Sequence, residues 1–133
     1  MSKPIETKGT DGRVNGWLLP LWNARQREDL RPEQVYLTVA LPGACKGPHL
    51  HYKREQRYYC IRGSVKVTVR TREDSGYVYA DQILNRGDMA VVNPGDASML
   101  QAIGKDETWI VNMPSPAWAP DDQDEWPVEN WTA

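Results

Sequence analysis

Gly43-Ala-Cys-Lys46-Gly-Pro-His49-Leu-His51-Tyr-Lys53-Arg54-Glu55-Gln56-Arg57-Tyr-Tyr-Cys-Ile-Arg62-Gly63 is the stretch whose reading decides the fold. It holds both histidines of the chain. They stand two residues apart in a segment with strand character, so their side chains share one face. Charge is concentrated around them. Lys46, Lys53, Arg54, Arg57, Arg62, Lys66, Arg70 and Arg72 are eight of the sixteen Lys and Arg, and the only acid among them is Glu55. Two titratable rings inside a cationic belt are the chemistry to be explained.

Outward from this stretch the chain reads as short strands. Gln34-Val-Tyr-Leu-Thr-Val-Ala-Leu41 is β-branched and aromatic, and Pro42-Gly43 ends it. Arg57 to Ile61 is a second strand, turned by Arg62-Gly63-Ser64. Val65 to Thr71 alternates, which sends Val65, Val67 and Val69 inward and Lys66, Thr68 and Arg70 outward. Strands at Tyr77–Leu84, Met89–Val92, Ser98–Ile103 and Thr108–Met113 follow, separated by Gly, Asn, Asp and Pro turns. Turn signals every ~8–12 residues point to an all-β sandwich or barrel. At the N-terminus, residues 1–12 read as a loose polar arm. Val14–Trp22, broken by Gly16 and Pro20, reads as a short edge strand, and Asn23–Leu30 as one helical turn. The C-terminal end is Pro-rich, then acidic over Asp121–Glu125, then carries Trp126 and Trp131. It reads as an irregular tail whose tryptophans dock on the barrel and whose acids form a solvated loop.

Composition bounds the rest. The 133 residues make one domain with one ordinary core. A net charge of −2 argues against a nucleic-acid binder; the positive charge is local. No apolar run approaches the ~20 residues of a membrane helix. The first residues lack the apolar core of a signal peptide, so the expected location is the cytoplasm. Cys45 and Cys60 match neither a disulfide scaffold nor a zinc spacing. There is no Phe but six Trp and six Tyr, rings suited to a pocket or an interface.

The spacing Gly43-(five)-His49-Leu-His51-(four)-Gln56-(six)-Gly63 resembles the first cupin motif. Gly87-Asp88-Met-Ala-Val-Val-Asn-Pro94-Gly95 resembles the start of the second. The resemblance implies a double-stranded β-helix, the cupin jelly-roll barrel, over a core of about residues 34–113 within a single cupin domain, 1–133. His49-x-His51-x-Lys53-x-Glu55-Gln56, with Lys46-Gly47 before it, is similar to the dTDP-4-keto-6-deoxyglucose 3,4-ketoisomerases. Pro42-Gly43, the Arg72–Ser75 loop and Val111-Asn-Met-Pro114 are similar to relatives of dTDP-4-dehydrorhamnose 3,5-epimerase.

This resemblance implies an isomerase or epimerase acting on a nucleotide-diphosphate sugar, and a homodimer, for which the apolar Trp-bearing N-terminal segment offers a surface. It implies that His49 and His51 move a proton beside a ketone, a task that suits the imidazole pKa. Tyr36 aligns with a strand tyrosine of the ketoisomerases and is a candidate donor to the sugar oxygen, as are Gln56 and Ser98. Ser98 stands where the second motif usually carries a histidine, and it lacks the charge of an imidazolium. Lys46 and Arg57 are the candidates for the diphosphate. No metal or other cofactor is expected, because Gln56 takes the place of the usual glutamate ligand and the chain has no third histidine. Two alternatives stand beside this reading. One is a metal-dependent cupin using His49, His51 and Glu55; the other is a non-catalytic cupin that binds a small anion or a sugar nucleotide.

Overall fold

The computed structural model describes residues 4–21, 32–117, 120–121 and 123–133. Ten strands are found among them: β1 (Ile5–Lys8), β2 (Val14–Leu18), β3 (Tyr36–Ala40), β4 (Cys45–Leu50), β5 (Gln56–Arg62), β6 (Val65–Glu73), β7 (Gly76–Leu84), β8 (Met89–Val92), β9 (Ala97–Ala102) and β10 (Thr108–Asn112). Seven of the strand segments expected from alternation appear within a residue or two of their expected ends. The helical turn expected at Asn23–Leu30 lies outside the described residues.

Two four-stranded antiparallel sheets pack face to face, in the orders β3-β10-β5-β8 and β4-β9-β6-β7. This is the jelly roll. Each sheet turns one face inward, and strict alternation fills the space between them. Val65 and Val67 of β6 meet Tyr58 and Cys60 of β5, Leu84, Ala90, Val92, Leu100 and Ile110. The out-of-phase residues Lys66, Thr68 and Arg70 go to the other face, as the alternation requires. Gly63 closes the β5–β6 turn at φ 77°, and an added Cβ would lie 2.7 Å from the Thr108 hydroxyl. The second motif's Asp88 accepts from the Asn85 amide and holds its turn against Cys60.

The N-terminal arm corrects one expectation. Ile5–Lys8 is a strand, paired antiparallel with β2 in a separate two-stranded ribbon. Thr7 donates to the Asn15 side chain across that pair. Polar composition concealed the alternation of a four-residue strand. The ribbon packs by its Trp17, with Leu19 and Leu21, toward Ile61, Arg62 and Trp109 of the barrel.

The buried floor of the barrel carries most of the stabilising area. Ile110 is fully buried. Ile110→Ala should lower the unfolding free energy by about 2–5 kcal/mol. Urea denaturation would read this as a lower midpoint with an unchanged m-value.

Candidate active site

One end of the barrel holds a cavity of about 140 Å³, lined by Tyr36, Thr38, Lys46, His49, His51, Arg54, Gln56, Tyr58, Leu100, Asn112 and Glu125. Each strand supplies the residues that alternation turns inward. From β3 come Tyr36 and Thr38, from β5 Gln56 and Tyr58, and from β4 Lys46 and His49. A ligand pocket commonly runs to about 300–1,000 Å³, so this cavity suits the reacting end of a ligand whose remainder lies outside.

The histidines stack against each other, with ring centroids 6.3 Å apart and planes 26° from parallel. Their placement depends on an irregularity in β4. The β4–β9 register shifts between Lys46 and His49, after which His49 faces Ser98 across the pair. Gly47 lies at φ 107° in this shift, and a Cβ there would sit 2.9 Å from the Ser98 backbone oxygen. Only a residue without a side chain lets the two strands approach there.

Glu125, from the C-terminal segment, places Oε1 2.5 Å from His49 Nδ1. A carboxylate on Nδ1 fixes the tautomer and leaves Nε2 as a lone-pair acceptor. The pair is about half exposed, so solvent screening weakens its charge coupling. Its neighbour Asp124 accepts backbone N–H bonds from Tyr52, Lys53 and Arg54 at 3.0–3.2 Å. Partial burial works against the Asp124 carboxylate, but these amides outweigh it and hold its pKa below the usual value. The expected acidic loop is open to solvent at Glu125, but both carboxylates are tied to the barrel. Composition marked the acids as exposed, whereas the His49 ring and the 52–54 backbone amides, about seventy residues earlier, capture them.

His51 is held below the ordinary imidazole value, first by burial and then by the Arg54 guanidinium. Arg54 itself is buried beside the cavity, with Nε 3.4 Å from the Pro116 carbonyl. Tyr58 is pushed up to about 12 by burial, so its phenol stays a neutral donor. The Tyr58 hydroxyl shares a hydrogen bond with Ser98. Asn112, also buried, donates to Thr38 Oγ1 at 2.7 Å and to the Ile110 carbonyl. Gln56 Oε1 is buried without a hydrogen-bond partner.

Five of the seven residues singled out by sequence line the cavity: Tyr36, Lys46, His49, His51 and Gln56. Two are placed otherwise. Arg57 follows Gln56 on β5, so alternation sends its guanidinium to the outer face of the sheet. There Nη1 is 3.4 Å from the Tyr59 hydroxyl, while Nε and Nη2 are buried without partners. Ser98 is buried opposite His49 on β9 and beside the Tyr58 hydroxyl, and it is not among the lining residues. The residues that sequence missed are Thr38, Arg54, Tyr58, Leu100, Asn112 and Glu125. Phase along β3 and β5 pointed to Thr38 and Tyr58. Nothing local pointed to Glu125.

A metal is common in this fold. Among the described residues no group of three or more His, Cys, Asp or Glu is placed to hold a metal ion. The carboxylate nearest the imidazoles already engages His49 Nδ1, and Glu55 is not part of the cavity lining. The described residues therefore offer no three-ligand donor set for a metal.

With this geometry in place, the sequence comparison is decisive for family. The chain matches the cupin family over residues 22–117, and it belongs to that family. No curated protein sequence matches it. Among solved structures, a dTDP sugar isomerase from Desulfovibrio desulfuricans G20 superposes with a TM-score of 0.76 at 16% identity, covering 97% of this chain and 83% of that one. NovW, a 4-keto-6-deoxy sugar epimerase from the novobiocin gene cluster of Streptomyces spheroides, gives 0.67 at 21% identity, covering 88% of this chain and 63% of that one. The capsular polysaccharide assembling protein CapF of Staphylococcus aureus gives 0.60 at 17% identity, and the chain spans only 28% of its length. At these identities the likeness is one of fold.

Two outcomes test the site. Gly47→Ala should cost about 1–3 kcal/mol of stability, because it forces a side chain into positive φ against backbone. The second concerns pH. Folded His51 gives up its proton more readily than it does in the unfolded chain, whose value is near 6.5. The unfolded state therefore gains a proton first as pH falls through that value, and stability drops. His51→Gln should flatten the stability profile between about pH 7 and 5, measured by urea midpoints. An unchanged slope would mean that His51 is not the group responsible.

Proposed function

We propose that this cupin is an isomerase or epimerase acting on a nucleotide-linked 4-keto-6-deoxysugar by proton transfer at histidine, without a metal. One observation carries the reading: His49 and His51 stack on one cavity wall, and Glu125 holds Nδ1 of His49. The fold neighbours, a dTDP sugar isomerase and a 4-keto-6-deoxy sugar epimerase, support the same class of substrate.

A hydrogen on the carbon next to a ketone is acidic because the resulting carbanion is delocalised onto oxygen as an enediolate. His49 removes that proton through Nε2, and Glu125 stabilises the imidazolium that forms. His51, kept neutral by burial and Arg54, holds its free ring nitrogens available beside it. Return of the proton to the other face gives an epimer. Return to the former carbonyl carbon, with proton movement between the oxygens, gives the isomeric ketone. Tyr36, Gln56 and Tyr58 are the donors for the enediolate oxygen. Lys46 and Arg54 set a positive potential over the cavity, suited to a diphosphate at its mouth. Ser98 acts through Tyr58. Arg57 has no part in the site.

The protein works as a homodimer in the cytoplasm on this reading. β3 is an edge strand of its sheet and exposes Leu37 and Val39, and the N-terminal ribbon exposes Val14, Trp17 and Leu18. An unpaired apolar edge of this kind invites a second strand. Sedimentation at micromolar concentration should show two copies; a single copy refutes the pairing.

The reaction is tested by incubating the protein with a dTDP-4-keto-6-deoxyhexose in deuterated water. Deuterium should enter beside the carbonyl. His49→Asn and His51→Asn should each slow its entry by ~10²–10⁴-fold with the fold retained. A wild-type protein that binds the nucleotide sugar without any exchange would favour the non-catalytic binding cupin instead.

A further inference from the structure

The C-terminal segment crosses from the cavity mouth to the outer face of the sheet β4-β9-β6-β7. Over residues 123–131 it forms no strand, so no ladder of backbone bonds holds it. It is fastened at two ends. Near the cavity, Asp124 sits on the 52–54 amides, the backbone N–H of Trp126 donates to the Leu50 carbonyl at 3.0 Å, and the Trp126 ring meets Tyr52 edge to face. Far from the cavity, Arg70 Nη1 donates to the Glu129 carbonyl at 2.6 Å.

Arg70 lies on the outer face of β6, paired with Ala97 on one side and Tyr79 on the other. It does not line the cavity. It is only 5% exposed. Its guanidinium lies 3.9 Å from the Tyr77 ring centre and 5.8 Å from that of Trp131. Trp131 in turn packs edge to face on Tyr79, whose hydroxyl accepts from the Thr132 amide and donates to the Asn130 carbonyl. Asn130 takes φ 56° to turn the chain into this grip. Arg70 meets Glu129 through the backbone carbonyl, and its two ring partners are uncharged. Burying a cation on a carbonyl and two rings is costly. Trp131 Nε1 is also buried without a partner. A surface apolar residue would cover the sheet at less expense, so the arrangement points to a role beyond covering.

We propose that Arg70 is a positioning residue for the cavity on the opposite side of its sheet. By gripping Glu129 and Trp131 it draws the segment taut, and this keeps Asp124 seated and Glu125 on His49. The step from there to catalysis rests on the reading of His49 as the base. The grip itself does not.

Hydrogen exchange and kinetics on the full-length protein test this together. Arg70→Ala should speed exchange of the Tyr52, Lys53 and Arg54 amides by about tenfold, while Val67 and Ile110 keep their protection. It should lower kcat for deuterium entry into the keto-sugar about tenfold and change KM less than about twofold. A chain ended at Val128 lacks the gripped residues and should behave alike. If Arg70→Ala melts the barrel amides too, the shortened chain decides. Unchanged protection at 52–54, or an unchanged kcat where the wild type is active, overturns the proposal. A wild type inactive on the keto-sugar overturns the proposed function, and the exchange measurement then decides the grip alone.

Discussion

The site rests on the pairing of β4 with β9. After the shift at Gly47, His49 stands opposite Ser98, and Leu50 opposite Ala97. Side chains alternate strictly along a strand, so this register decides which ring enters the barrel and which side chain leaves it. A slip of one residue would put Leu50 in the cavity and His49 on the outer face. The close approach at Gly47 is what makes the shift possible. The stacking of His49 on His51 and the reach of Glu125 both presuppose it.

Charge is divided across the mouth of the cavity in a consistent way. Burial, and after it Arg54, disfavours the charged form of His51, while Glu125 faces His49. Asp124 is bound to three backbone amides, and its charge still reaches His51. The acidic tail thus meets the basic belt through two adjacent carboxylates with different tasks. One supplies an anchor and the other a partner for a titratable ring. The net charge of −2 hides this local complementarity, because belt and tail nearly cancel in the sum.

One sheet serves two surfaces. Its inner face presents Lys46, His49 and Leu100 to the cavity, and its outer face presents Arg70, Tyr77 and Tyr79 to the C-terminal segment. A packed sheet transmits strain across its thickness because its side chains are close-packed. The same geometry explains the fate of Arg57 on the other sheet. It is adjacent in sequence to a cavity residue and therefore belongs to the opposite surface.

Strand positions, the inward valines of β6 and the shared face of His49 and His51 were determined by the sequence itself, because each follows from a period of two within a few residues. The family was legible for the same reason: both motifs are local spacings of glycines, histidines and acids around turns. The folded chain was needed for everything that depends on contacts far apart along it. The capture of Asp124 and Glu125 joins residues about seventy apart, and no local pattern marks either acid as different from Asp121. Ser98 meets Tyr58 from the opposite sheet, a contact that no local pattern announces. Ile5–Lys8 became a strand only because β2 lay beside it. Alternation sets the face of a residue, whereas packing of distant segments decides what that face meets.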